Sequence, residues 1–184
     1  TPVSPTAMVI DGRAIARKIV GGLKRKRKSR GGLAAVFVGN DAASEKFLGE
    51  KARIARELGV PFRVARIPAN ASRATLMRFI EKLNQNRNVR GIVLQLPLPR
   101  RVDERFATAA IDPKKDVDAL RGGTNLLPPA AGAVEAILKT FEYKLLGKRA
   151  VVVGRGALVG EPVAAWLKPR VARLDQFHTS FFDW

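Results

Sequence analysis

Apolar residues recur along this chain in two rhythms. Between residues 15 and 28 they fall at Ile15, Ile19, Val20 and Leu23, the spacing of one helix face, and Gly31-Gly32 closes the run. Leu33-Ala-Ala-Val-Phe-Val38 is a continuous apolar run of strand length, and Gly39-Asn40-Asp41 turns the chain after it. The same reading predicts a long helix over 43–58 closed by Gly59, a strand over 62–67, and a helix over 72–84 capped by Ser72 or Asn70. A strand over 91–96 and a short helix over 103–110 follow. A helix over 131–138, a strand over 149–153 and a helix over 158–167 complete the pattern. Residues 173–184 match neither a strand nor a well-patterned helix, although Phe177, Phe181, Phe182 and Trp184 crowd together there.

Strands alternating with helices predict an α/β fold with parallel sheets covered on both faces. The Pro pair in Leu126-Leu-Pro-Pro-Ala-Ala-Gly132 resists both helix and central strand, and marks a hinge between domains at 1–126 and 127–184. No internal repeat is evident. The hydrophobic content of 46% over 184 residues is enough for a real core, and no run approaches the roughly 18 apolar residues of a membrane span. The N-terminus lacks the basic and apolar regions of a secretory leader. The chain has no cysteine, which excludes disulfides, thiolate metal sites and a cysteine nucleophile, and fits a cytoplasmic setting. With one histidine, His178, a histidine metal site or a Ser-His-Asp triad is not expected.

The net charge of +18 is extreme, and Lys24-Arg-Lys-Arg-Lys-Ser-Arg30 concentrates part of it. Such a run can neutralise phosphates, or it can be a solvated helix end. No aromatic residues interleave with it, so base stacking is unsupported and nucleic acid is not the expected partner. Steering of a polyanionic small molecule also accounts for the charge.

Three segments carry candidate chemistry. In Gly91-Ile-Val-Leu-Gln-Leu-Pro-Leu-Pro99 an apolar strand ends by presenting one amide, Gln95, into a rigid turn of Leu96 and Pro97. In the helix over 43–58, Phe47 and Lys51 stand four residues apart and share a face, following Ser44. They could stack on and charge-pair with a flat heterocycle, or be core and solvated surface. In Asp112-Pro-Lys-Lys-Asp-Val-Asp118 the carboxylates of Asp116 and Asp118 point oppositely if the segment is extended. One can then be structural while the other accepts a paired N–H array; a charged surface loop is the plainer alternative. Further on, Val151-Val-Val-Gly-Arg-Gly-Ala-Leu-Val-Gly-Glu-Pro162 sets a strand, a Gly-rich turn and a helix start in series, a place for a phosphate.

In this order, with Ile10-Asp-Gly-Arg-Ala-Ile-Ala16 and Ala43-Ser-Glu-Lys-Phe-Leu-Gly-Glu-Lys51 ahead of them, these segments resemble the bifunctional methylenetetrahydrofolate dehydrogenase/methenyltetrahydrofolate cyclohydrolases, over residues 8–168. The resemblance implies a parallel-sheet catalytic domain followed by a partial Rossmann-like dinucleotide-binding domain. It implies oxidation of 5,10-methylenetetrahydrofolate with NADP and hydrolysis of 5,10-methenyltetrahydrofolate to 10-formyltetrahydrofolate. Lys51 matches the catalytic lysine, Gln95 the glutamine that hydrogen-bonds it, and Asp118 the aspartate that anchors the pterin. Phe47 holds the position of the family's usual tyrosine, with Ser44, Leu96 and Pro97 lining the folate site. Gly154, Arg155, Gly156, Val159, Gly160 and Pro162 match the turn that receives NADP, and no metal is implied. The partners implied are tetrahydrofolate derivatives, including polyglutamylated forms to which the positive charge is suited, and a second copy of the chain, since full-length members dimerise.

The chain departs from the family at Phe47, which lacks the tyrosine hydroxyl, and at Gly156, where serine is usual. After Asp118 the family's Gly-Phe is replaced by Ala119-Leu120, and the loop that follows is shorter. The resemblance is expected to end near Pro169, leaving the cofactor half incomplete, so that hydrolysis outlasts hydride transfer. Two further readings stay open from the sequence: a family member without activity, and a basic RNA-binding module on the same scaffold.

Overall fold

A computed structural model describes residues 8–26, 31–122 and 124–178. Most of the basic run beyond Lys26, and the aromatic residues Phe181, Phe182 and Trp184, lie outside these. By contact the described residues divide into two compact units, one from Lys26 to Pro129 and one combining residues up to Arg25 with those from Ala130 onward.

The first unit holds β1 (Gly32–Val38), α1 (Ala42–Glu57), β2 (Phe62–Ile67), α2 (Arg73–Gln85), β3 (Val89–Leu94) and α3 (Glu104–Ala109). The strands form a parallel sheet in the order β2-β1-β3, as the strand–helix alternation predicts. The period of two divides the core. Val36, Val38, Ile92 and Leu94 pack with Leu76 and Ile80 of α2, while Ala35, Phe37 and Val93 pack with Leu48 of α1. Each helix starts at a side-chain cap: Asp41 accepts the amide of Ser44 at 2.7 Å, Ser72 accepts that of Thr75 at 3.1 Å, and Asp103 accepts those of Arg105 and Phe106. Ser72, and not Asn70, is therefore the cap of α2.

The second unit contains α4 (Gly12–Lys24), α5 (Pro129–Thr140), β4 (Arg149–Val153), α6 (Gly160–Leu167) and β5 (Arg173–Phe177). Helix α5 begins at Pro129, where a missing N–H costs nothing in the first turn. Strands β4 and β5 pair in parallel, Arg149 with Arg173 through Val153 with Phe177. Ala150, Val152 and Leu174 pack with Val163, Trp166 and Leu167 of α6, whereas Val151 and Val153 on the other face stay exposed.

Two expectations are corrected. Arg173–Phe177 is a strand, not an unassigned tail: its Arg-Leu-Asp-Gln-Phe pattern carries too few apolar residues to declare itself, and pairing with β4 decides it. Strand β3 spans Val89–Leu94 and not 91–96, so Gln95 and Leu96 lie just beyond it, although Gln95 N still donates to Val36 O at 2.9 Å.

Candidate functional site

The carboxyl ends of parallel strands are where open α/β sheets present side chains to ligands. Here β3 runs out into Gln95-Leu96-Pro97, with a cis peptide bond between Leu96 and Pro97. Gln95 is only 9% exposed. Its Nε2 donates to Leu96 O at 2.8 Å, and its buried Oε1 has no hydrogen-bond partner. A buried amide oxygen without a donor is costly, and it marks a place where a donor fits.

Helix α1 faces this turn. The hydroxyl of Ser44, itself buried, donates to Leu96 O at 3.4 Å. Phe47 and Lys51 stand three and seven residues further on, along the same face. Phe47 is 66% exposed, so it is not a core residue. Lys51 Nζ lies 3.2 Å from Asp118 Oδ2, with the lysine side chain 37% and the aspartate 19% exposed. The lysine's partner is thus Asp118, and not Gln95 as the resemblance implies.

The segment bearing Asp118 is built onto the sheet. Ile92 N donates to Lys115 O at 2.7 Å, and Ile92 and Asp116 form a parallel bridge beside β3. The alternation expected of the two carboxylates is present. Asp116, 1% exposed, accepts the amides of Leu120 and Arg121 at 3.2 and 3.0 Å, while Asp118 faces Lys51. Val117 between them packs on Gly91, where a Cβ would lie 2.4 Å from Val117 Cγ1. Ala119, directly after Asp118, has φ +53°, a left-handed conformation that glycine adopts without strain.

From the sequence Lys115 had no role of its own and Ala119 stood only as a departure from the family pattern. The acceptors of Lys115 are backbone carbonyls, which sequence does not display.

The Gly-rich turn lies in the second unit. Gly154 has φ +115°, and a Cβ on Gly160 would sit 2.3 Å from Gly154 O, so the turn closes only with glycine at both positions. Gly156 faces open space, Arg155 and Val159 are exposed, and Pro162 lies in the first turn of α6. Gln176 of β5, also unforeseen, clamps the turn by donating to Gly154 O at 3.1 Å, and Arg155 donates to Gln176 O at 3.3 Å.

Asp41, at the head of α1, has a carboxyl shifted from its usual value. Hydrogen bonds from Ser44, the backbone amide first, hold its carboxyl below the usual value of 3.8. A cleft of about 620 Å³ lies at the opposite, amino end of the sheet beside Gly32, Pro61 and Asn88, away from these residues.

Comparison with known proteins supplies the context. The chain is 36% identical to the bifunctional protein FolD of Streptococcus gordonii over 94% of its own length and 66% of that protein's. It is 40% identical to FolD 2 of Pseudomonas syringae over 88% of its length and 59% of that protein's. It therefore spans less than two thirds of these curated relatives. Similarity over 94% of the chain also carries past Pro169, where the resemblance was expected to end. Among solved structures, the Campylobacter jejuni FolD methylenetetrahydrofolate dehydrogenase/cyclohydrolase matches at 31% identity with a TM-score of 0.88, covering 94% of this chain and 67% of that one. The Trypanosoma brucei FolD, solved with NADP cofactor and inhibitor, matches at 32% identity with a TM-score of 0.87, covering 95% of this chain and 65% of that one. The model of the tetrahydrofolate dehydrogenase/cyclohydrolase catalytic domain matches residues 10–118, more than half of the sequence, and the chain belongs to that family.

Proposed function

We propose that this chain carries out folate one-carbon interconversion: oxidation of 5,10-methylenetetrahydrofolate with NADP, and hydrolysis of 5,10-methenyltetrahydrofolate to 10-formyltetrahydrofolate. The observation that carries the reading is the pairing of Asp118 with Lys51, on a helix whose Ser44 reaches Leu96 in the turn after β3. Asp118, acceptor-only when ionised, takes the paired N–H groups of the pterin. Phe47, exposed on the same helix face, supplies a surface for the ring, and Ser44, Leu96 and Pro97 shape the wall. Lys51 is then the group that polarises the one-carbon bridge and directs a proton to or from the attacking water. Gln95 offers its unpartnered Oε1 to the lysine or to a ligand N–H.

NADP, when bound, accepts the hydride. The residues fit a dinucleotide: Gly154 holds a positive φ, Gly160 has no room for a Cβ, Gly156 opens to solvent, and Arg155, Val159 and Pro162 complete the turn. The net charge of +18 suits polyglutamylated folates through long-range attraction. Pairing of two copies through the second unit is supported by the exposed Val151 and Val153. The cysteine-free sequence suits a cytoplasmic setting.

The test is a pair of assays on the full chain. Hydrolysis is followed by loss of methenyltetrahydrofolate absorbance, and oxidation by appearance of NADPH. Hydrolysis that Lys51→Met abolishes is expected; a parent chain that hydrolyses no methenyltetrahydrofolate overturns the reading.

A further inference from the structure

Lys115 turns its ammonium to the end of α2, where it has three acceptors. Its Nζ donates to Leu83 O at 3.0 Å, to Asn84 O at 2.5 Å and to Asn86 O at 2.9 Å. These carbonyls belong to the last turn of α2 and its end, where an α-helix leaves acceptors without partners and where its dipole favours a cation. All three ammonium protons are used. From that anchor the chain runs directly into the site. The carbonyl of Lys115 accepts Ile92 N, Asp116 is buried under two backbone amides, Val117 is seated on Gly91, and Asp118 emerges toward Lys51. Asn84 ties the preceding loop to the same helix end, donating to Ala110 O at 2.8 Å and accepting Asp112 N at 2.9 Å.

We propose that Lys115 is a positioning residue: by capping α2 it fixes the extended segment 115–118 against β3, and so sets where the Asp118 carboxylate stands. Asp118 stands three residues after this anchor and directly before the left-handed Ala119, so Lys115 sets its place together with the buried Asp116 and with Val117 on Gly91. Freed from the helix end, the segment can slide on β3, and the carboxylate moves with it. The proposal deepens the folate reading, on which its ligand-binding arm rests.

Two arms test it. In the ligand-free chain, the Asp118 side-chain carboxyl carbon is observed by NMR. Lys51→Met shifts this resonance in the parent chain and leaves it nearly unmoved in a Lys115→Met background, because the pair no longer forms there. An equal shift in both backgrounds overturns the proposal. In the second arm, tetrahydrofolate affinity falls about tenfold in Lys115→Met, the scale of one charge-assisted hydrogen bond. In an Asp118→Asn background the same change costs less than about twofold, because the two residues act as one unit. An additive penalty means that Lys115 only supports the fold, and overturns the positioning role. A parent chain that binds no tetrahydrofolate defeats the folate reading, and the first arm still decides this one. Should Lys115→Met not fold, Lys115→Gln, which keeps two N–H donors on a shorter stem, carries both comparisons.

Discussion

Lys51 and Asp118, 67 residues apart in sequence, meet at 3.2 Å between Nζ and Oδ2. Helix α1 brings one and the segment beside β3 brings the other. Both side chains are partly open to solvent, so the pair adds little to stability, of the order of 0–1 kcal/mol. Lys51→Met is expected to shift the melting temperature by only a few degrees. It is expected to slow methenyltetrahydrofolate hydrolysis at least about a hundredfold, the scale of a positioned proton donor. Thermal unfolding and the hydrolysis assay, run on one preparation, separate the two effects.

Phe47 stands on the same helix face and is 66% exposed. Phe47→Ala leaves thermal unfolding nearly unchanged, because little packing is lost. Its effect falls on tetrahydrofolate affinity, which drops about tenfold with the loss of the stacking surface. Titration of both proteins checks this; equal affinities assign Phe47 no part in binding.

Ala119 carries φ +53° immediately after Asp118. A left-handed alanine costs about 1–2 kcal/mol, and the extra freedom of glycine in the unfolded chain returns about 0.4–1 kcal/mol of that. Ala119→Gly is therefore expected to stabilise the first unit slightly, raising the melting temperature by a few degrees. Denaturant titration of the two chains measures it.

The Gly-rich turn separates two glycines that look alike in sequence. A Cβ at position 160 would meet Gly154 O at 2.3 Å, while at position 156 it meets nothing within 4 Å. Gly160→Ala is expected to destabilise the second unit by about 1–3 kcal/mol. Gly156→Ser folds as the parent does and binds NADP roughly three- to tenfold more tightly, the value of one added hydrogen bond. Calorimetry of both variants with NADP tests the contrast.

Asp41 caps α1 with a carboxyl held below its usual value by the Ser44 hydrogen bonds. A depressed carboxylate stabilises the fold above its unfolded value and loses that contribution as pH falls through the folded one. Stability owed to Asp41 is therefore complete at neutral pH and disappears below about pH 3.8. Asp41→Asn keeps a capping oxygen but removes the titration, so its melting temperature declines less steeply in acid than the parent's. Asp41→Ala melts lower at neutral pH as well. Melting curves between pH 2.5 and pH 7 distinguish the three proteins.

Much of this was legible in the sequence. Apolar runs of strand length and amphipathic spacing declare β1, β2, β3, β4 and the helices between them, because burial on one face or both leaves a period in the chain. The glycines at 154 and 160 and the two aspartates around Val117 could be picked out for the same reason: their residue types answer local geometric needs. Strand β5 could not, since Arg173-Leu-Asp-Gln-Phe177 has little apolar pattern and becomes a strand by pairing with β4.

What the tertiary structure alone decided is who meets whom. In the sequence, the family resemblance alone groups Lys51, Gln95 and Asp118. Only the fold decided that Lys51 pairs with Asp118, that Gln95 turns its amide back on Leu96 and leaves its oxygen unpartnered, and that Lys115 holds the end of α2. It also joined the helix at Gly12–Lys24 to residues more than a hundred positions later, in one compact unit. These contacts depend on register between distant segments and on backbone carbonyls, and neither leaves a mark on the identity of the residues involved.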